Sequence, residues 1–294
     1  MTPTSDVVTV RLPRWMPGYY QLMPYADNLR MLSCTDDQGH SLSLDTIASN
    51  AWRFKVANSQ QVTLTYVIDA RQTFVANSLV DKHHAYLVPA QSFLYEEGGL
   101  DRAAIVTVNM PTKWADIATG LQPDASHPYR FSAASMDLLY DCPQLLGNLK
   151  SLPPFKVNGI EHRFIGYNLQ SFDGRALMAD LQRIVQAAVD LMGDIPYDTY
   201  TFIGIGPGNG GIEHLNNCVV SFTGQGLDTE DGRLSNLNFL AHEYFHHFNV
   251  KRIRPVELGP FDYDRENRTS QLWVSEGLTV YYESILLLRA GLID

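Results

Sequence analysis

The sequence predicts an α+β fold in two parts, a β-sandwich-like N-terminal domain over residues 1–165 and a mixed helix-and-strand domain over residues 166–294. Three observations carry this. Short alternating apolar runs, such as 61–68 and 103–108, recur through the first half between Gly, Pro and Asp. Helical periodicity takes over after Asp173. At 294 residues with 45 % hydrophobic content, the chain is long enough for two domains, each with its own core.

Residues 7–12 form a first strand-like run, and Pro153-Pro154 and Asn158-Gly159 mark turns near the end of the β-rich part. Asp173 then caps a helix with the apolar set Leu177, Leu181, Ile184, Val185, Ala188 and Met192, stopped by Gly193 and Pro196. Residues 199–205 and 218–222 are β-branched and aromatic, hence strands. Leu237, Leu240, Ala241, Tyr244, Phe245 and Phe248 repeat at i, i+3, i+4, i+7, i+8 and i+11, the stripe of a core-facing helix. Ser235 is its expected cap, and Pro255 blocks any continuation. After a polar, turn-rich stretch, 260–269, Ser270 is placed to cap a last helix on which Trp273, Glu276, Val280 and Glu283 share a face.

Within the first of these two helices, His242-Glu243-Tyr244-Phe245-His246 reads H-E-x-x-H. Histidines at i and i+4 lie about 40° apart around the axis and one turn apart, so both imidazoles reach one small cation. Zinc takes neutral imidazole nitrogen, and three protein ligands leave one position open for water. The glutamate beside the first histidine is placed to act as general base on that water. His242 and His246 fall nearly opposite the apolar stripe, so the competing interpretation is a solvated polar face. His247 points away from the pair and is expected to pack or face solvent. His83-His84 alternate across a strand, share no metal and are expected at the surface or in a loop.

A third ligand must come from another element. Glu276 is the expected one, because it sits among apolar residues where an ionised carboxylate needs a cation or hydrogen bonds. Glu283 competes, as a ligand, as a residue supporting one, or as a surface carboxylate.

Between the two strands lies Gly206-Pro207-Gly208-Asn209-Gly210-Gly211-Ile212-Glu213-His214-Leu215-Asn216-Asn217. Its glycines fit G-x-G-x-x-G, but a dinucleotide site requires a helix to open at the last glycine, and the residues after Gly211 are Asn-rich and then strand-like. The better interpretation is an edge strand whose glycines, Gly210 and Gly211 among them, let a peptide backbone approach and pair. Glu213, at its end, is then placed to anchor a free α-ammonium group; the plain alternative is a loop glutamate.

Taken together, Gly210-Gly211-Ile212-Glu213-His214-Leu215-Asn216, the string from His242 to Pro255 and Trp273…Glu276-Gly277…Tyr281-Tyr282 resemble the glycyl aminopeptidase family, gluzincin metallopeptidases with a PDZ domain near the C-terminus. Trp15-Met16-Pro17-Gly18-Tyr19 resembles the same family's N-terminal β-domain. The resemblance implies a thermolysin-like catalytic domain, one zinc per chain held by His242, His246 and Glu276, Glu243 as general base, and Glu213 as the group that holds the substrate's amino terminus. It also implies a preference for glycine or other small first residues. Phe248 stands where the family usually has Trp, and Asn217-Cys218 replaces a small hydroxyl pair; both are packing changes. The family continues into a helical subdomain and the PDZ domain beyond Asp294, and residues 1–12 leave little room for its first strands, so the chain is expected to be a truncated piece. A thermolysin-type endopeptidase and a binding module with a vestigial metal site are the alternatives.

A net charge of −10 disfavours nucleic acid or an anionic membrane surface as partner and suits peptides presented by a free amino terminus. No run approaches the roughly 18 apolar residues of a membrane span. Cys34, Cys142 and Cys218 show no metal spacing and leave a thiol unpaired, which favours a reducing, cytoplasmic compartment.

Overall fold

Gly, Pro and Asp interrupt the first half every few residues, and its strands are correspondingly short. The computed structural model describes residues 1–3, 5–56 and 60–294. Val7–Arg11 pairs antiparallel with Ala51–Lys55 and with Tyr95–Glu96. Val62–Ile68 pairs with Leu29–Asp36, and Ala104–Thr107 with His127–Ala133. Among the described residues this half is sheet-rich, built from two four-stranded and two three-stranded sheets and the small hairpin Trp15–Met16/Gln21–Leu22.

The second half is organised on one six-stranded mixed sheet. Ile160–Gly166, Thr199–Gly204 and Asn217–Phe222 run parallel, and Gly206–Glu213 lies antiparallel at the edge beyond them. Lys150–Ser151 and Phe155–Val157 also pair with Ile160–Gly166, so hydrogen bonding carries this unit back to Lys150. Asn158 and Gly159 have φ of 49° and 85° and form the tight turn expected of that dipeptide.

Strand alternation decides what each sheet face buries. Along Asn217–Phe222, Cys218 and Val220 share a core with Leu181, Ile184, Leu237, Leu240, Tyr244 and Leu286 of the helices, while Val219, with Ile203 and Ile212, shares one with Trp15, Tyr25, Tyr86 and Tyr140. Helices therefore cover one face, and the N-terminal half covers the other.

The helix Gly174–Met192 begins and ends as its sequence predicts: the Asp173 carboxylate accepts from the Arg175 and Ala176 amides, and Gly193 closes it at φ 77°. The other two starts differ. Glu230–Phe245 begins five residues before the expected Ser235 cap, with the Thr229 hydroxyl accepting from the Gly232 amide. Its first two turns carry few apolar residues, so the stripe from Leu237 onward underestimates it. The last helix, Leu272–Arg289, is flanked by Gln271 and has no side-chain cap, so Ser270 does not serve as one.

Candidate functional site

The 230–245 helix and the 272–289 helix pack side by side and bring His242, His246 and Glu276 to one point, their nearest ligand atoms all within 4.8 Å of one another. The two imidazole Nε2 atoms are 2.9 Å apart, and Glu276 Oε2 lies 3.5 Å from His242 Nε2 and 3.6 Å from His246 Nε2. Ligands at 2.0–2.1 Å from a tetrahedral zinc stand about 3.3–3.4 Å from each other. The observed separations bracket that value, and two imidazole nitrogens facing a carboxylate are a donor set of the kind zinc takes.

Outer hydrogen bonds aim these nitrogens. His242 Nδ1 lies 2.8 Å from Glu283 Oε2, and His246 Nδ1 lies 2.9 Å from the Asn249 carbonyl with Thr279 Oγ1 at 3.3 Å. In the neutral imidazoles, Nδ1–H donating to an oxygen would leave each Nε2 lone pair for a metal. Glu283 thus supports a histidine rather than joining the cluster. The Asn249 side chain donates to the Ser275 carbonyl and to Thr279 Oγ1, tying the turn after His246 to the first turns of the last helix.

The electrostatics show how strongly this point attracts positive charge. Burial opposes charging His242, but hydrogen bonds to Glu276 and Glu283 outweigh it and lift its pKa to about 10. The same histidine contacts lower Glu276 to about 2. Glu276 is half exposed, and its helix turns Trp273 and Tyr281 outward at 73 % and 59 % exposure. The apolar neighbours expected to desolvate Glu276 therefore face solvent, and the histidines are what hold its charge.

Glu243 is 5 % exposed; burial pushes its pKa up to about 8, with His246 pulling against it and Glu213 adding to it. It rests against Gly211 of the edge strand, where a Cβ would overlap the Glu243 carboxyl group. Gly210, Gly211, Asp231, Phe239, His242 and Glu243 line an open cleft of about 650 Å³ between that strand and the helix. Gly206–Glu213 is the edge strand its glycines suggest, and no helix opens at its end, so the dinucleotide interpretation fails there.

Glu213 is not among the residues lining the cleft. It is 5 % exposed and accepts a 2.7 Å hydrogen bond from the Tyr20 hydroxyl. Directly after it, His214 Nδ1 lies 3.0 Å from Asp141 Oδ1 and the Leu215 amide donates to Asp141 Oδ2 at 2.9 Å. Lys251 Nζ completes the cluster at 2.6 Å from Asp141. Burial alone would raise the Asp141 pKa, but the Lys251 ammonium and then His214 outweigh it and bring it to about 2.

No sequence pattern marks Tyr20, Asp141 or Thr279 as part of a site. Asn249 and Lys251 carry a weak signal, because they stand inside the string that extends beyond His246. His247 is fully buried among Tyr197, Tyr200 and Phe248 and takes no part in the cluster. His84 corrects the expectation of a surface position: it stacks on the Tyr167 ring at 3.8 Å and is 6 % exposed.

A family model described as the Peptidase M61 N-terminal domain matches residues 1–148, and one described as M61 glycyl aminopeptidase matches residues 235–294. No curated protein matches the chain. Among solved structures, an aminopeptidase N family protein from Idiomarina loihiensis is 28 % identical with a TM-score of 0.91; the match covers 100 % of this chain and 52 % of that one, so the chain spans about half its length. An M1 zinc metallopeptidase from Deinococcus radiodurans (13 % identity, TM-score 0.54, 97 % and 63 % covered) shares the fold. So does aminopeptidase A from Legionella pneumophila in complex with aspartic acid (13 %, 0.58, 97 % and 34 %). With both ends matched and the H-E-x-x-H motif inside the second match, the chain belongs to the M61 glycyl aminopeptidase family of peptidases.

Proposed function

We propose that this chain carries the reactive centre of a zinc-dependent aminopeptidase that removes amino-terminal residues, glycine or other small ones, from peptides. The observation that carries this is the convergence of His242 Nε2, His246 Nε2 and Glu276 Oε2 next to Glu243 and the edge strand. In this proposal the six-stranded sheet and the helices on it form a thermolysin-like, gluzincin catalytic domain behind the β-rich N-terminal domain, and those three side chains hold one zinc per chain. When bound, zinc polarises a carbonyl and makes water a nucleophile at neutral pH.

The remaining steps belong to the chain's own groups. Glu243 takes a proton from the attacking water and passes it to the leaving amine. The outer edge of Gly206–Glu213 pairs with an extended peptide, its glycines permitting close approach. Glu213 accepts a charge-assisted hydrogen bond from the free α-ammonium group, which fixes the first peptide bond as the one cut.

A second interpretation has its own support. Glu213 is nearly buried and already bonded to Tyr20, as would suit a structural carboxylate in a thermolysin-type endopeptidase. Hydrolysis of matched glycyl and N-acetylglycyl peptides by the zinc-loaded full-length protein separates the two. The proposal expects the blocked peptide to be cut at least about tenfold more slowly, the loss of one charged hydrogen bond. Internal cleavage of blocked peptides at the same rate would replace it with the endopeptidase. Full zinc loading with neither peptide cut would leave a binding module with a vestigial site.

A further inference from the structure

The Trp15–Tyr20 segment is distinctive in sequence and has no part in the chemistry above, yet it reaches the far side of Glu213. Trp15–Met16 and Gln21–Leu22 form a two-stranded hairpin, closed by the Tyr20 amide donating to the Met16 carbonyl at 2.9 Å. Gly18, at φ 82°, lies so close to the edge strand that a Cβ there would overlap Ile212 and stand 3.1 Å from Glu213 Oε2. Tyr20 itself has φ 54°, a left-handed conformation that disfavours a side chain of this size. That conformation accompanies a Tyr20 hydroxyl 2.7 Å from Glu213 Oε1. Burial, and then the Glu213 carboxylate, hold the phenol well above its ordinary pKa of 10, so it is the donor in this bond.

We propose that Tyr20 is a positioning residue for the amine anchor: its phenol fixes the Glu213 carboxylate in place to receive the α-ammonium group of a substrate. This rests on the aminopeptidase proposal above. The N-terminal half thus builds one end of the substrate site, with Tyr20 holding Glu213 while Asp141 holds His214 and Leu215 immediately after it. A carboxylate held by its own hydrogen bond, on backbone fixed by the residues after it, loses little freedom when it binds the ammonium group, and that preorganisation appears in KM.

Two variants of the full-length, zinc-loaded protein test this. Tyr20→Phe keeps the ring and removes the donor; Tyr20→Gly removes the phenol and relieves the left-handed backbone. The expected result is a rise in KM for glycyl amide of about tenfold or more in both, the range for a hydrogen bond to a charged group, with kcat within a few-fold. Zinc content should stay unchanged, and the thermal midpoint should fall in both variants, more in Gly, which also loses the ring packed near Trp15. An unchanged KM in both variants would overturn the inference, as would a fall in kcat as large as the rise in KM. If the unmodified protein cuts acetylated and free peptides alike, the aminopeptidase proposal fails first. If it discriminates and Tyr20→Phe does not alter KM, only the role of Tyr20 fails.

Discussion

Glu243 and Gly211 meet where the helix passes the edge strand, and each constrains the other. Removing the proton-accepting oxygen without changing shape, Glu243→Gln, should leave the fold and zinc content intact and lower kcat by about 10²–10⁴-fold, the range for a general acid–base group. Gly211→Ala should produce a loss of similar direction by another route, because the new methyl overlaps the Glu243 carboxyl group and turns it away. Steady-state rates with parallel zinc analysis check both. Wild-type activity in Gly211→Ala would show that this contact has no bearing on the reaction. The pairing of Gly211 with Glu243 is half legible in sequence: a glycine in a strand signals close approach of something, but not of what. Glu283 is legible only as one of several possibilities, because its 2.8 Å bond to His242 depends on how two helices cross.

The helices and the edge strand are where local pattern serves best and where its limits are clearest. The 3.6-residue stripe from Leu237 to Phe248 locates the H-E-x-x-H helix, since those residues meet the sheet. The two turns before the stripe are invisible to it. Asp231 and Ser235 line the cleft, so a polar face takes the place of the apolar signal there. Thr229→Ala should therefore destabilise the protein by about 1 kcal/mol, as loss of a helix N-cap does. Ser235→Ala, inside the helix, should change stability by less than half of that. Urea unfolding of the two variants compares them directly, and the opposite ranking would restore the shorter helix. The last helix is located by pattern, but its apolar residues do not enclose Glu276 as expected: Trp273 and Val280 share its helix and leave it half exposed.

Across the whole molecule, the two halves are joined by a cluster that no local pattern could reveal. Asp141 meets His214 and Lys251 from 73 and 110 residues away, and none of the three stands in a motif that announces the others. Asp141→Asn leaves the Lys251 ammonium without its partner, a change expected to cost about 3–5 kcal/mol when a buried pair is broken. The pH dependence has a definite sign. A carboxylate whose folded pKa, about 2, lies below its ordinary 3.8 stabilises the native state fully above 3.8, and that stabilisation is lost as pH falls toward 2. Thermal midpoints of the native protein should thus decline between about pH 4 and 2, and the decline should be shallower in Asp141→Asn. Equal slopes would remove Asp141 from the acid response. The metal centre itself is the claim on which every functional step depends, and elemental analysis of chelator-free protein tests it most directly. One zinc per chain should be retained by the native protein and by Glu243→Gln, and lost in His246→Ala and Glu276→Ala. Stoichiometric zinc persisting in either of the last two variants, with the fold intact, would contradict the assignment.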